Sequence, residues 1–268
     1  MTAPTPLQKN NVNIAGKRDA GQAMVFVHGF GTDQGAWHKI VPAFSQTYRI
    51  VLLDQIGSGG SQSSAYSICN YLNLKPYADD LTDVLAHLDI TNAVLVGHSV
   101  GAIVAVLAAL QTPQRISKLV LLGANPRYLN EDGYTGGFAR QDIDDIYREA
   151  TQSYPDWLAS FASAAMANPD RPELARYFAK CLNSYPPEWL LTVLCSVLQT
   201  DYRQEIGQLE IPAQIIQSRN DPFVPLATAE YMQSRIKHSV LQVIDADGHF
   251  PHLGAAEQVI AAMRGFLG

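Results

Sequence analysis

The sequence predicts an α/β fold in which a mostly parallel central sheet is covered by helices on both faces. Three observations carry that expectation. Short runs that are apolar throughout, Met24-Val25-Phe26-Val27, Ile50-Val51-Leu52-Leu53, Ala93-Val94-Leu95-Val96 and Leu119-Val120-Leu121-Leu122, alternate with longer segments of helical spacing; strands apolar on both faces belong to parallel sheets. Gly97-His98-Ser99-Val100-Gly101 stands between one such run and an unbroken apolar stretch over residues 102–110, the order strand, tight turn, helix. The runs also end in glycine or polar residues, at His28-Gly29, Asp54, Gly97 and Gly123, which directs four loops to the edge of the sheet where ligands of such folds bind.

Taken in order, residues 1–11 are polar and contain proline, so a loose lead-in is expected, and Val12-Asn13-Ile14 begins a strand. The first apolar strand ends at His28-Gly29-Phe30-Gly31, where glycines let the backbone turn sharply and present an N–H to a ligand. Residues 36–45 read as a helix with Trp37, Ile40, Val41 and Phe44 on one face. The stretch Gly57-Ser58-Gly59-Gly60-Ser61 lacks the Lys-Ser/Thr ending of a phosphate loop and the Gly-x-Gly-x-x-Gly order of a dinucleotide site, so a tight loop is the better reading. Residues 76–88 form a second amphipathic helix that turns Tyr77, Leu81, Val84, Leu85 and Leu88 inward.

From about residue 127 to 203 strand patterns stop, and proline-punctuated helical segments follow over 141–153, 154–167, 171–184 and 187–199. The division expected is a core of residues 1–126 and 204–268 with a four-helix lid over 127–203. Part of the lid's aromatic surface is its own core; the rest roofs an apolar pocket above Ser99. Strand patterns resume at Ile211 to Ser218. A helix over 227–236, a last strand over 240–244 and a closing helix over 255–266 complete the chain.

Composition narrows the class of function. The 268 residues are 47% hydrophobic and 16% charged with a net charge of −6, a globular balance that offers no basic face to nucleic acid or an anionic membrane. Cys69, Cys181 and Cys195 have neither metal-ligand nor Cys-x-x-Cys spacing and read as reduced thiols, with Cys195 in the core. Neither metal nor cofactor is expected. The first residues show no leader pattern and no run is long enough to span a bilayer, so a cytoplasmic protein with a small, hydrophobic ligand is expected.

A serine hydroxyl is a weak nucleophile until a base takes its proton, and that base needs a carboxylate to fix its tautomer. Asp221 follows one late strand and His249 follows the last. The order Ser99, Asp221, His249 is that of the α/β-hydrolase triad, with Gly-x-Ser-x-Gly as the nucleophile elbow. Asp245 and Asp247 stand too close to His249 along one loop to support its outer nitrogen, and His252 competes weakly for the base. His98 is expected to face away from the nucleophile and His28 to brace its own loop. The oxyanion donors are expected to be the backbone N–H groups of Phe30 and Val100. Aspartate, not serine, stands at the elbow of related folds that open epoxides or displace halides, which argues against those reactions.

With these motifs placed, His28-Gly29-Phe30-Gly31-Thr32-Asp33-Gln34, Asp54-Gln55-Ile56-Gly57-Ser58-Gly59, the elbow, and Tyr128-Leu129-Asn130 through Tyr134-Thr135-Gly136-Gly137-Phe138 resemble the RsbQ-type α/β-hydrolases, the group of the bacterial sigma-B stress regulator and the plant karrikin and strigolactone receptors. The resemblance covers nearly the whole chain. It implies a hydrophobic cavity above the serine near Phe30, Tyr128, Phe138, Trp157, Phe161, Phe178, Leu198 and His249. Leu198 departs from the aromatic that plant relatives often carry. The function expected is a serine hydrolase, esterase- or lactonase-like, that cleaves a small apolar ester, lactone or butenolide-like molecule through an acyl-enzyme. The alternative is a ligand-sensing stress regulator with slow or single-turnover hydrolysis coupled to a partner protein, of the phosphatase-type regulator class by resemblance. An inactive scaffold is disfavoured because every residue the chemistry needs is present.

Overall fold

The computed structural model describes residues 4–268. Among them seven strands form one sheet, β1 (Asn13–Gly16), β2 (Ala23–Val27), β3 (Arg49–Leu53), β4 (Ala93–His98), β5 (Ile116–Leu122), β6 (Ala213–Asn220) and β7 (Ser239–Asp247), in the order β1-β3-β2-β4-β5-β6-β7. β1 runs antiparallel to β3 and every other pairing is parallel. The α/β-hydrolase fold with its mostly parallel sheet is thus the observed architecture.

The helices are α1 (Pro6–Lys9), α2 (Lys75–His87), α3 (Val100–Gln111), α4 (Arg140–Gln152), α5 (Tyr154–Met166), α6 (Pro172–Leu182), α7 (Pro187–Leu198), α8 (Arg203–Ile206), α9 (Leu226–Arg235), α10 (Pro251–Gly254) and α11 (Ala256–Leu267). Alternate residues of each central strand enter opposite layers of core. Val25, Val27 and Leu95 join α2 and α3 on one face, whereas Met24, Phe26, Val94 and Val96 meet Trp37, Ile40 and α11 on the other, as the two-residue pleat requires. This double burial explains why the strands read as continuous apolar runs. α4 to α7 occupy the interval between β5 and β6.

Several expectations change. Of the lead-in, residues 1–3 lie outside the described part, and the rest is not loose: Thr5 caps the single turn α1 in a capping box with Gln8. The helix expected over 36–45 is instead two 3₁₀ turns, Gln34–Trp37 and Val41–Ala43. Pro42 has no N–H for a continuous ladder, yet Trp37, Ile40 and Phe44 are buried as the spacing required. The last strand extends through Asp245 and Asp247. Cys195 is half-buried rather than core, and all three thiols are free. Among the described residues no helix is long and apolar enough to cross a membrane.

The Gly57-Ser61 loop closes on a carboxylate of the chain's own. Asp54 accepts hydrogen bonds from the Gly60 N–H (2.8 Å), the Gln34 N–H (2.9 Å) and the Asn11 amide (2.7 Å). A Cβ at Gly59 would lie 2.5 Å from Asp54 Oδ2, so the glycine serves a close approach of the loop to Asp54.

Candidate active site

Ser99 sits between β4 and α3 with φ +54° and ψ −124°, a strained conformation for a non-glycine residue that the surrounding packing must hold. The flanking glycines make that packing possible. A Cβ at Gly97 would stand 2.5 Å from Ala102 Cα, and one at Gly101 would stand 2.2 Å from the His28 carbonyl oxygen. The Ser99 N–H donates to the Leu122 carbonyl at 2.8 Å, which ties the elbow to β5.

The three residues expected to act together meet. Ser99 Oγ is 2.8 Å from His249 Nε2, and His249 Nδ1 is 2.8 Å from Asp221 Oδ2. A carboxylate only accepts, so Nδ1 carries the proton and Nε2 is left to accept from the serine hydroxyl. Asp221 is held in turn: Oδ1 accepts from the Phe223 and Val224 N–H groups at 2.9 and 3.0 Å, and Oδ2 also accepts from Gln217 Nε2 at 3.2 Å. Its side chain is fully buried and that of His249 is 5% exposed. The competitors stand elsewhere. Asp245 is exposed near Arg219, Asp247 accepts from Asn220, and His252 is buried in a stack on Trp37 with ring centroids 4.6 Å apart.

His249 is clamped through its backbone from two directions. Its N–H donates to the Ala165 carbonyl of α5 at 2.8 Å, and its carbonyl accepts from His98 Nε2 at 2.7 Å. Burial pushes His98 well below the ordinary histidine range, helped by the neighbouring His252 and His249, so it is neutral with its proton on Nε2. His98 also touches the cavity. His28 braces its loop: Nδ1 donates to the Gly29 carbonyl at 2.9 Å and Nε2 accepts from the Gln55 N–H at 3.0 Å.

Ser99 opens on an apolar cavity, the lining expected of a site for a small hydrophobic molecule. Phe30, Tyr128, Phe138, Phe161, Phe178 and Leu198 line it. Trp157 does not; it lies behind Phe161, stacked on it with centroids 5.2 Å apart, because residues four apart on α5 share a face at different depths. Sequence reasoning missed Ile146, Leu194, Val197, Phe223 and Phe250. Phe223 and Phe250 lie within two residues of Asp221 and His249, and Leu194, Val197 and Leu198 are spaced for one helix face; those signals were present in the chain. Tyr128 differs from the other walls: its hydroxyl is 3.2 Å from Ser99 Oγ, and burial pushes it up to about 12, which keeps it a donor.

The Tyr-Leu-Asn…Gly-Gly-Phe stretch is the frame that holds Tyr128 and Phe138. Asn130 Oδ1 accepts from the Gly136 and Gly137 N–H groups at 2.8 and 2.9 Å. Gly137 has φ +117°, and a Cβ at Gly136 would lie 2.5 Å from the Arg127 carbonyl. Val100 is the first residue of α3, where an N–H has no acceptor within the helix.

A nucleophile elbow at the carboxyl edge of a parallel sheet, with Ser, His and Asp in contact order beneath an apolar cavity, defines a class, and comparison agrees with it. Over residues 22–256 the chain matches the alpha/beta hydrolase fold family, and it belongs to that family. It is 35% identical to the strigolactone esterase D14 of Arabidopsis thaliana over 98% of both chains. It is 32% identical to the karrikin insensitive 2 receptor CA of Petunia hybrida, over 96% of this chain and 94% of that one. Among solved structures it is similar to olei00960, a hydrolase from Oleispira antarctica, with a TM-score of 0.94 and 28% identity over 98% of this chain and 96% of the other. The chain is therefore an ester-bond hydrolase of the α/β fold, with homologues named as strigolactone esterases and karrikin insensitive 2 receptors.

Proposed function

We propose that the protein is a serine hydrolase that cleaves a small apolar ester, lactone or butenolide-like molecule through an acyl-enzyme on Ser99. The observation that carries this reading is the continuous line from Asp221 Oδ2 through His249 to Ser99 Oγ, each contact 2.8 Å, opening on an apolar cavity. His249 Nε2 takes the serine proton as Oγ attacks the carbonyl carbon. Asp221 stabilises the imidazolium that forms. The negative charge that develops on the carbonyl oxygen is assigned to the N–H groups of Phe30 and Val100, each such donor being worth about 3 kcal/mol in the transition state. Collapse of the tetrahedral intermediate expels the alcohol, which takes the proton from His249. A water activated by the same histidine then releases the acid.

A second reading has its own observation. Because the His249 N–H is bonded to Ala165 on α5, a modification or displacement of His249 pulls on the helical segment above the cavity. Slow or single turnover would then signal occupancy to a partner, as in the RsbQ-type regulators; a phosphatase-class partner and a cytoplasmic location belong to the same proposal.

The test is mass spectrometry of the protein after incubation with butenolides, lactones and short acyl esters. Repeated turnover with no persistent adduct supports the metabolic enzyme, and one turnover leaving mass on Ser99 or His249 supports the sensor. A Ser99→Ala protein that still hydrolyses these esters would overturn both.

A further inference from the structure

A second, smaller cavity lies beside the one that holds Ser99 and His249, and Phe30 lines both. It is bounded by the two residues assigned to the oxyanion, Phe30 and Val100, and is walled by the apolar side chains of Ile56, Leu74 and Val193. Most polar side chains on its wall are already committed. Ser58 Oγ stands 3.0 Å from His28 Nε2 and donates to the Gln55 carbonyl, Gln55 Nε2 donates to the His28 carbonyl at 2.6 Å, and Tyr185 donates to the Thr32 carbonyl at 2.7 Å.

Tyr77 is the exception. It is 6% exposed, and its hydroxyl has no hydrogen-bond partner among the described residues. Burial raises it well above its ordinary range, so it stays protonated. A buried hydroxyl without an acceptor is costly, and a ligand that supplies one gains the difference.

The two compartments divide an ester in a defined way. His249 must deliver a proton to the leaving alcohol, and His249 lines the first cavity and not the second. With the carbonyl oxygen between the Phe30 and Val100 N–H groups, the alcohol side lies toward His249 and the acyl side toward the second cavity. Resting on the ester-hydrolase reading above, we propose that the second cavity is the acyl subsite, and that it takes a short acyl chain carrying a ketone or ether oxygen held by the Tyr77 hydroxyl.

The test compares p-nitrophenyl 4-oxopentanoate with p-nitrophenyl pentanoate, which differ at the acceptor. The native enzyme should prefer the oxo ester in kcat/KM by roughly tenfold, the effect of one hydrogen bond, and Tyr77→Phe should abolish that preference. Val193→Phe, which fills the cavity, should lower the ratio of pentanoate to acetate turnover. Calorimetry on Ser99→Ala should show the same preference in Kd, lost when Tyr77→Phe is added. An absence of hydrolysis by the native protein would defeat the hydrolase reading, and the calorimetric ratio would still decide the subsite. Equal affinity of Ser99→Ala for the two esters, or a preference that survives Tyr77→Phe, would overturn the proposal.

Discussion

The Tyr128 hydroxyl lies 3.2 Å from the hydroxyl of Ser99. Since the serine proton is directed to His249, Tyr128 is the donor and Ser99 Oγ accepts. That bond engages a lone pair of the resting nucleophile and weakens as Oγ becomes part of an ester. Tyr128→Phe should therefore speed covalent labelling of Ser99 by an alkyl fluorophosphonate, by roughly fivefold for a hydrogen bond of about 1 kcal/mol. Slower labelling would mean that Tyr128 acts on the transition state instead.

Asp221 has two separable duties. Its Oδ1 bonds to the N–H groups of Phe223 and Val224, and its Oδ2 fixes the His249 tautomer. Asp221→Asn keeps an acceptor for the loop but turns a donor toward Nδ1. Ester turnover should fall about 10,000-fold with little change in melting temperature. A drop below tenfold would remove Asp221 from the triad.

The histidines beneath the site make the fold sensitive to acid. Burial lowers His28 and His98, and takes His252 to about 3. The unfolded chain binds these protons below the ordinary histidine value of about 6.5 while the folded chain does not, so stability is fully present above about 6.5 and falls with decreasing pH toward the folded value. The slope is up to about 1.4 kcal/mol per pH unit for each such histidine. Melting temperature should drop between pH 7 and pH 5, and His252→Phe, which removes one titrating group from the Trp37 stack, should drop less. An identical slope in the variant would show that His252 takes up no proton on unfolding.

Gly101→Ala places a methyl 2.2 Å from a backbone oxygen that cannot move without shifting β2. The expected cost is about 3 kcal/mol, a fall of roughly 6–12 °C in melting temperature. A variant as stable as the parent would mean that elbow and β2 are less tightly apposed than the structure has them.

Chain order and residue type were enough for the α/β architecture and for the choice of Ser99, Asp221 and His249, because strand burial on both faces, the glycines of the elbow and the position of each residue at a strand end are local properties. Their side chains meet at 2.8 Å only because β4, β6 and β7 lie in one parallel sheet, a long-range arrangement. The same reason accounts for what was misplaced. Trp157 and Phe161 share a helix face, and only packing against Phe30, Phe178 and Phe223 decides that Phe161 is the wall and Trp157 the layer behind. The broken helix over 36–45 had Pro42 as a visible warning, whereas nothing local announced that His98 would grip the His249 carbonyl or that Tyr77 would be left without an acceptor. The sequence by itself determined the class of fold and which polar residues stand at the ends of its strands. Cavity shape, the depth of each side chain and the unsatisfied hydroxyl were decided by tertiary structure, since each depends on contacts between segments far apart in the chain.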